Sequence, residues 1–203
     1  MITLVIVNCQ NDFITGAMRV KGGSKVLDNI KSFIKNNVKE IDKILLVADW
    51  HPFKNCSFKK DGGQFPTHCV KYTPGACIEP KLLKLINSLN INYEVVTAGE
   101  FSECEQKGAF REIEYVSDNY FNSCYYFDSI YSADSSTDFV ICGVNGDTCG
   151  VKYAIENLIK GDIIPTIYSN GIVSTDVDDF TQFIHTNNLK EYVKSSEEQV
   201  NEN

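Results

Sequence analysis

The stretch ITLVIV at residues 2–7 is a continuous, mostly β-branched apolar run. Such a run is typical of a strand that is buried on both faces, as strands are in parallel sheets. Similar short runs recur at residues 43–48, 93–96, 139–142 and 163–167. These five runs predict five strands, separated by longer segments that have room for helices.

The segments between the runs carry apolar residues at helical spacing. One predicted helix opens at Ser24, whose side chain suits an N-cap. The others are expected over residues 80–89, 120–131, 148–159 and 175–186. Between the second strand and the second helix lies a long irregular stretch, from residue 49 to about residue 75, and loops of that length are uncommon unless they are functional.

Alternating strands and helices predict a single domain with a three-layer α/β/α architecture and a mainly parallel sheet. We expect this domain to span residues 1–194. The polar residues 195–203 are expected to form a disordered tail.

Composition and charge exclude several classes of protein. The chain has 203 residues and a formal net charge of −8, which disfavours binding to nucleic acids. Its longest apolar run is about one strand long, so no membrane span is expected. The N-terminus lacks a basic region and a small-residue cleavage site and is interpreted as a first strand. The eight cysteines then favour reduced thiols and a cytoplasmic location over a disulfide scaffold.

Ligands of parallel α/β folds bind beyond the carboxyl ends of the strands. Three segments follow predicted strands at that edge, namely residues 8–13, 49–58 and 143–149. The first of them turns polar abruptly, so we expect its side chains to line the crevice.

The second segment has the residue types of a metal site. Asp49 and His51 are two residues apart, so in an extended backbone their side chains point to the same side. His68 is the natural third ligand, since the remaining histidine, His185, falls in a predicted helix. Three such side chains can hold a divalent metal ion. Taken alone, however, an Asp-x-His pair is more often a turn residue beside a surface histidine.

The third segment places Cys149 at the start of a predicted helix. The unpaired amides and the dipole of a helix start favour a thiolate over a thiol, and the same amides can stabilise an oxyanion. Taken alone, a cysteine at this position is more often a small buried apolar residue.

Four ordered blocks of sequence together resemble one family. The chain resembles the nicotinamidase/isochorismatase-like cysteine hydrolases, and nicotinamidases most closely, over roughly residues 2–170. The blocks are QNDF at 10–13, DWHP at 49–52, FPTHCV at 65–70 and GVNGDTC at 143–149.

The resemblance implies an amide-cleaving site with an Asp–Lys–Cys triad. Cys149 would be the nucleophile and would form a covalent acyl-enzyme. The backbone amides of Asn145 and Cys149 would form the oxyanion hole, beside a cis peptide bond between Val144 and Asn145. Phe13, Trp50 and Val144 would line the substrate pocket.

The resemblance also implies a divalent metal ion (zinc, iron or manganese) that binds the pyridine nitrogen of the substrate. Asp49, His51 and His68 match three of the metal ligands. The fourth position falls on Asn55, a poor ligand for zinc or iron, so the site is expected to be weakened. The adjacent Cys56 is an alternative ligand at this fourth position.

Two of the three triad positions differ from the family. The acid at the end of the first strand is replaced by Asn8, which cannot accept the thiol proton. Aligning residues 108–110 with a motif that follows the family lysine places Ala98 at the lysine position. Lys107 is a weak alternative for that role. With position 55 also changed, natural divergence explains the pattern better than deliberate inactivation, for which one substitution would suffice.

Two hypotheses for the function fit these residues about equally well. One is a nicotinamidase-like amidohydrolase of low or altered activity, acting on a small-molecule amide. The other is an inactive pseudoenzyme that binds a pyridine-like ligand or has a regulatory or assembly role. An assembly scaffold is a third hypothesis, motivated only by the aromatic residues 120–127, which also suit a core helix. Related proteins are often homo-oligomers.

Overall fold

Six parallel strands form one sheet in the computed structural model, which describes residues 1–99, 138–145, 150–160 and 162–195. All of the strand pairings are parallel. The strands are β1 (Ile2–Val7), β2 (Ile41–Asp49), β3 (Asn92–Ala98), β4 (Asp138–Val144), β5 (Thr166–Val173) and β6 (Val193–Lys194).

The strand order is β3-β2-β1-β4-β5-β6. The chain runs outward from β1 to β3 on one side, then restarts at β4 and runs outward on the other. The order therefore reverses between β1 and β4, and ligands of open parallel sheets bind in the crevice at such a point. The residues that directly follow these two strands are Asn8 and Asn145.

Helices cover both faces of the sheet. They are α1 (Asn11–Ile14), α2 (Gly23–Asn36), α3 (Pro80–Ser88), α4 (Val151–Lys160) and α5 (Val177–Thr186). Because successive strand side chains point to opposite faces, β1 contributes to two apolar clusters. Leu4 and Ile6 pack in the cluster with α2 and α3, whereas Val5 and Val7 pack in the cluster with α4 and α5. The predicted three-layer α/β/α fold is confirmed.

The start of α2 differs from the prediction. The N-cap is Gly22, with a φ of 91°, and Ser24 lies inside the first turn. Gly22 accepts a backbone hydrogen bond from Val26 through its carbonyl oxygen. A glycine adopts this left-handed conformation readily, so the helix starts one residue before Ser24.

The prediction of a strand at residues 163–167 was wrong in its boundaries, because β5 spans Thr166–Val173. The amide of Ile163 donates to the carbonyl oxygen of Leu158, and that of Asp162 donates to Ile159. These bonds complete the end of α4, so residues 162 and 163 belong to the helix terminus. Two short elements, α1 and β6, were not predicted at all.

The predicted helix at 120–131 and the tail after residue 195 lie outside the described residues. Within the described ranges, no helix has both the length and the apolar composition that crossing a membrane requires.

Close contact between β1 and β4 depends on Gly143. Its φ is 147°, and a Cβ there would overlap the backbone of Val7, its partner in the parallel ladder. A side chain at this position would push the two central strands apart.

We therefore expect Gly143→Ala to destabilise the fold by about 3 kcal/mol, since it adds backbone overlap to an unfavourable φ. Gly62→Ala is the matched control: Gly62 also has a positive φ, of 96°, but a Cβ there meets nothing within 4 Å. That variant should lose only about 1 kcal/mol. Urea denaturation of both variants tests this, and equal losses would contradict the role assigned to Gly143.

Candidate functional site

A buried group of three metal-ligating side chains lies beyond the carboxyl end of β2. Asp49, His51 and His68 are each about 5% exposed, and one ligand atom from each lies within 4.8 Å of the other two. The Asp49 Oδ2 atom is 3.7 Å from Nε2 of His51 and 3.9 Å from Nε2 of His68. The structure thus brings together the three predicted ligands, and the group does not include Cys56.

The backbone holds both imidazole rings in the orientation a metal ion requires. His51 donates from Nδ1 to the carbonyl oxygen of Gly99 at 2.9 Å, and His68 donates from Nδ1 to that of Pro66 at 2.7 Å. Since Nδ1 carries the proton in each ring, Nε2 keeps its lone pair and faces Asp49.

Burial lowers the pKa of His68 below its usual value, although the nearby Asp49 carboxylate acts in the opposite direction. Phenylalanine rings surround this imidazole at centroid distances of 5.5 to 6.1 Å, from Phe13, Phe58 and Phe65. His68 is therefore neutral near pH 7, as metal ligation requires.

The donor set fits a divalent ion. Neighbouring ligand atoms around a first-row metal are about 3 to 3.5 Å apart, close to the separations at Asp49. Two imidazoles and a carboxylate suit zinc, iron or manganese. Asn55, the expected fourth ligand, accepts two hydrogen bonds at Oδ1 from the amide and hydroxyl of Ser57, at 2.9 and 2.6 Å. Its metal-binding role stays a prediction.

Two loop segments run side by side to position the histidines. The amide of His51 donates to the carbonyl oxygen of Cys69, and the amide of Lys71 donates to that of His51. Gly99 allows the His51 ring to approach, because a Cβ there would overlap the imidazole. The glycine after β3 is thus a structural part of the site.

Gln10 and Asp12 stabilise the backbone around this group through hydrogen bonds, whereas the sequence suggested that they line the crevice. Gln10 is fully buried and bonds to the backbone of Asp49 in both directions. Asp12 accepts hydrogen bonds from the amides of Cys69, at 2.7 Å, and Ala17, at 3.1 Å. The type of a polar residue after a strand does not reveal which backbone groups it meets, so these roles required the structure.

The crevice between β1 and β4 is flanked by two asparagines in the left-handed conformation, Asn8 with φ 55° and Asn145 with φ 65°. Asn8 is 1% exposed, and neither its Oδ1 nor its Nδ2 has a hydrogen-bond partner among the described residues. Leaving such a buried amide unpaired costs about 1–3 kcal/mol. Ala98 ends β3 opposite Asp49 in the parallel register and is buried.

The remaining predicted site residues fall into three groups. Phe13 and Val144 are fully buried, while Trp50 is half-buried with its ring edge-on to Tyr72 at 5.4 Å. The expected cis bond before Asn145 is absent, since no described peptide bond is cis. Asn145 reaches its position through a positive φ instead. Cys149 and Lys107 lie outside the described residues.

No disulfide bond joins the described cysteines, which are at positions 9, 56, 69, 77 and 142. Burial raises the pKa of Cys9 to about 12 and raises the pKa of Cys69 and of Cys142 far above the usual range. These three are protonated at neutral pH and are poor nucleophiles.

Comparison with known proteins gives one curated relative. The nicotinamidase of Saccharomyces cerevisiae is 26% identical over 139 residues, which are 56% of this chain and 63% of the yeast enzyme. The match thus spans less than two thirds of that relative's length. No protein-family model matches the chain.

Solved structures match over nearly the whole chain. The yeast nicotinamidase has a TM-score of 0.76 at 21% identity, covering 96% of this chain and 99% of its own. PnC1 from L. infantum, in complex with nicotinate, has a TM-score of 0.73 at 25% identity, with coverages of 96% and 91%. The pyrazinamidase of Pyrococcus horikoshii, in complex with zinc, has a TM-score of 0.72 at 20% identity, with coverages of 96% and 97%.

The chain has the fold of the solved nicotinamidases and pyrazinamidase, and part of its sequence is similar to the yeast nicotinamidase. Within this shared α/β fold, the buried Asp-His-His group lies at the edge of the sheet where the resemblance predicted a metal site.

We expect the Asp-His-His group to bind one Zn²⁺ ion. Replacing either His51 or His68 by Ala should weaken binding at least about 100-fold, because each removes a direct ligand. His185→Ala is the matched control, since His185 is exposed on α5 and lies outside the group. Competition with a chelating dye measures these affinities. Unchanged affinity in both site variants, or an equal loss in the control, would contradict the assignment.

Proposed function

We propose that the chain is an amidohydrolase that converts nicotinamide to nicotinate and ammonia at a low rate. The observation that carries this proposal is the buried group of Asp49, His51 and His68, with both Nδ1 atoms bonded to backbone carbonyls. The competing interpretation is a turn residue beside a surface histidine. Burial of all three side chains argues against it.

A bound divalent ion would supply an electron-pair acceptor for the ring nitrogen of a pyridine substrate. Asp49 and the two histidines would hold that ion through Oδ2 and Nε2. Phe13 packs edge-on against the His68 ring at a centroid distance of 5.7 Å, which gives the site an apolar wall. The proposed pocket is completed by Trp50 and Val144.

Cys149 is the proposed nucleophile. Its sulfur would attack the amide carbonyl while the backbone amides of Asn145 and Cys149 stabilise the oxyanion. The C–N bond would break as the thioester forms, with the thiol proton passing to the nitrogen that leaves as ammonia, and water would then cleave the thioester to the acid and restore the thiol. Cys149 lies two residues before the start of α4, where a helix dipole favours the thiolate.

The proposed rate is low because two catalytic positions have changed. Asn8 cannot take the proton of the thiol, and loss of a general base typically costs about 10²–10⁴-fold. Ala98 places a methyl group where the family has a lysine. Since catalytic groups act as a unit, the two losses need not multiply.

A second candidate function is a pseudoenzyme that binds a pyridine-like ligand without turnover. The observation that favours it is the Asn8 side chain, which is buried without a partner among the described residues. A buried amide of this kind suits ligand binding better than proton transfer.

An ammonia-release assay on nicotinamide, with Zn²⁺ supplied, separates the two functions. We expect slow release from the unmodified chain and none from Cys149→Ala, whereas Cys77→Ala, a change at an exposed thiol, should have no effect. Asn8→Asp combined with Ala98→Lys should raise the rate at least about 100-fold, because it restores the base.

Absence of ammonia above background from the unmodified chain would overturn the hydrolase proposal. Ammonia from the double variant alone would then support the pseudoenzyme.

The small-molecule ligand, the homo-oligomer and the cytoplasmic location stay predictions. The assembly segment 120–127 lies outside the described residues. Light scattering after size exclusion measures the oligomeric state.

A further inference from the structure

The Asn8 amide is a buried polar group without a partner in the described part of the chain. Its backbone amide donates to the carbonyl oxygen of Val47, so the main chain is fixed while both side-chain polar atoms remain unpaired. Buried polar groups are nearly always hydrogen-bonded in folded proteins. A ligand in the crevice that pairs with this amide would remove the penalty.

The Asn8 side chain lies against the start of α4. Its Nδ2 atom is 3.0 Å from where a Cβ of Gly150 would be, and Gly150 directly precedes the helix. The helix has ten residues, and the first amides of a helix point out of its N-terminal end. Those amides carry the positive end of the helix dipole, so the surroundings of Asn8 favour a negative charge.

Asparagine and aspartate at this position favour different ligands in the crevice. An aspartate can only accept hydrogen bonds and repels an anion, whereas the neutral asparagine can donate from Nδ2. A carboxylate would receive from it a charge-assisted hydrogen bond, which is stronger than the neutral bond available to a carboxamide.

Two carboxylates in the described part of this sheet edge are engaged by other protein groups. The Asp12 carboxylate accepts bonds from the amides of Cys69 and Ala17. The Asp49 carboxylate faces the two histidines of the metal group. Asn8 replaces the acid that the family would place in the crevice itself.

We propose that Asn8 makes this crevice a binding site for small aromatic carboxylates, which it holds more tightly than the corresponding carboxamides. The proposal rests on the proposed function, because it uses the same pocket for a pyridine-like ring. It adds a specificity-determining role for Asn8 and makes the acid, which is the product of amide cleavage, the preferred occupant.

Isothermal titration calorimetry with nicotinate and nicotinamide tests the preference. All measurements use the full chain with Zn²⁺ and carry Cys149→Ala, so that turnover cannot convert one ligand into the other. We expect nicotinate to bind about tenfold more tightly than nicotinamide, the difference between a charge-assisted and a neutral hydrogen bond.

Adding Asn8→Asp should abolish or invert that preference by weakening nicotinate at least about tenfold, since it places a like charge beside the ligand. Asn87→Asp is the matched control: it makes the same chemical change at an exposed position on α3 and should leave the preference intact.

The outcomes separate the two claims. If both ligands bind and nicotinamide is equal or tighter, or if Asn8→Asp leaves the preference unchanged, this inference fails and the proposed function stands. If neither ligand binds although Zn²⁺ does, the proposed function fails and the inference fails with it.

Discussion

The side chain of Gln10 forms the hydrogen bonds on which the candidate site depends. Its Nε2 atom donates to the carbonyl oxygens of Asp49 and Ala76, at 2.7 and 2.9 Å, and its Oε1 atom accepts from the amide of Asp49 at 2.8 Å. Gln10 is fully buried, so water cannot replace these bonds. One residue thereby joins the end of β1, the end of β2 and the 3-10 turn at Pro74–Ala76. The position of Asp49, and with it the geometry of the histidines, follows from this connection.

The site then divides into two halves that differ in how completely their polar groups are paired. Around Asp49, both imidazoles are bonded through Nδ1, and the supporting Asp12 carboxylate has two amide donors. At the crevice between β1 and β4, Asn8 is unpaired in the described part of the chain. The well-supported half is suited to holding a metal ion. The unpaired half is suited to a ligand, and we propose that Asn8 stands there in place of a catalytic acid.

Apolar periodicity was sufficient to predict five of the six described strands, the layers and the parallel sheet, because burial on both faces leaves a clear signal. It failed at Ile163, where an apolar, β-branched residue closes α4 rather than starting β5. The three candidate metal ligands could be predicted from residue type and spacing. Gln10 and Gly99 could not be assigned roles, since Gln10 bonds to the backbone of Asp49, 39 residues away, and Gly99 bonds to the imidazole of His51, 48 residues away. That the Asn8 side chain has no hydrogen-bond partner among the described residues likewise depends on the fold around it.

X-ray absorption spectroscopy of the Zn²⁺-loaded chain tests the central claim most directly, which is that the Asp-His-His group is an intact metal site. The account predicts two imidazole nitrogens and a carboxylate oxygen in the first shell, at about 2.0–2.2 Å, with any remaining ligands being oxygen or nitrogen. A sulfur ligand at about 2.3 Å would show that a cysteine such as Cys56 binds the ion instead. That result, or a first shell without imidazole, would contradict the account.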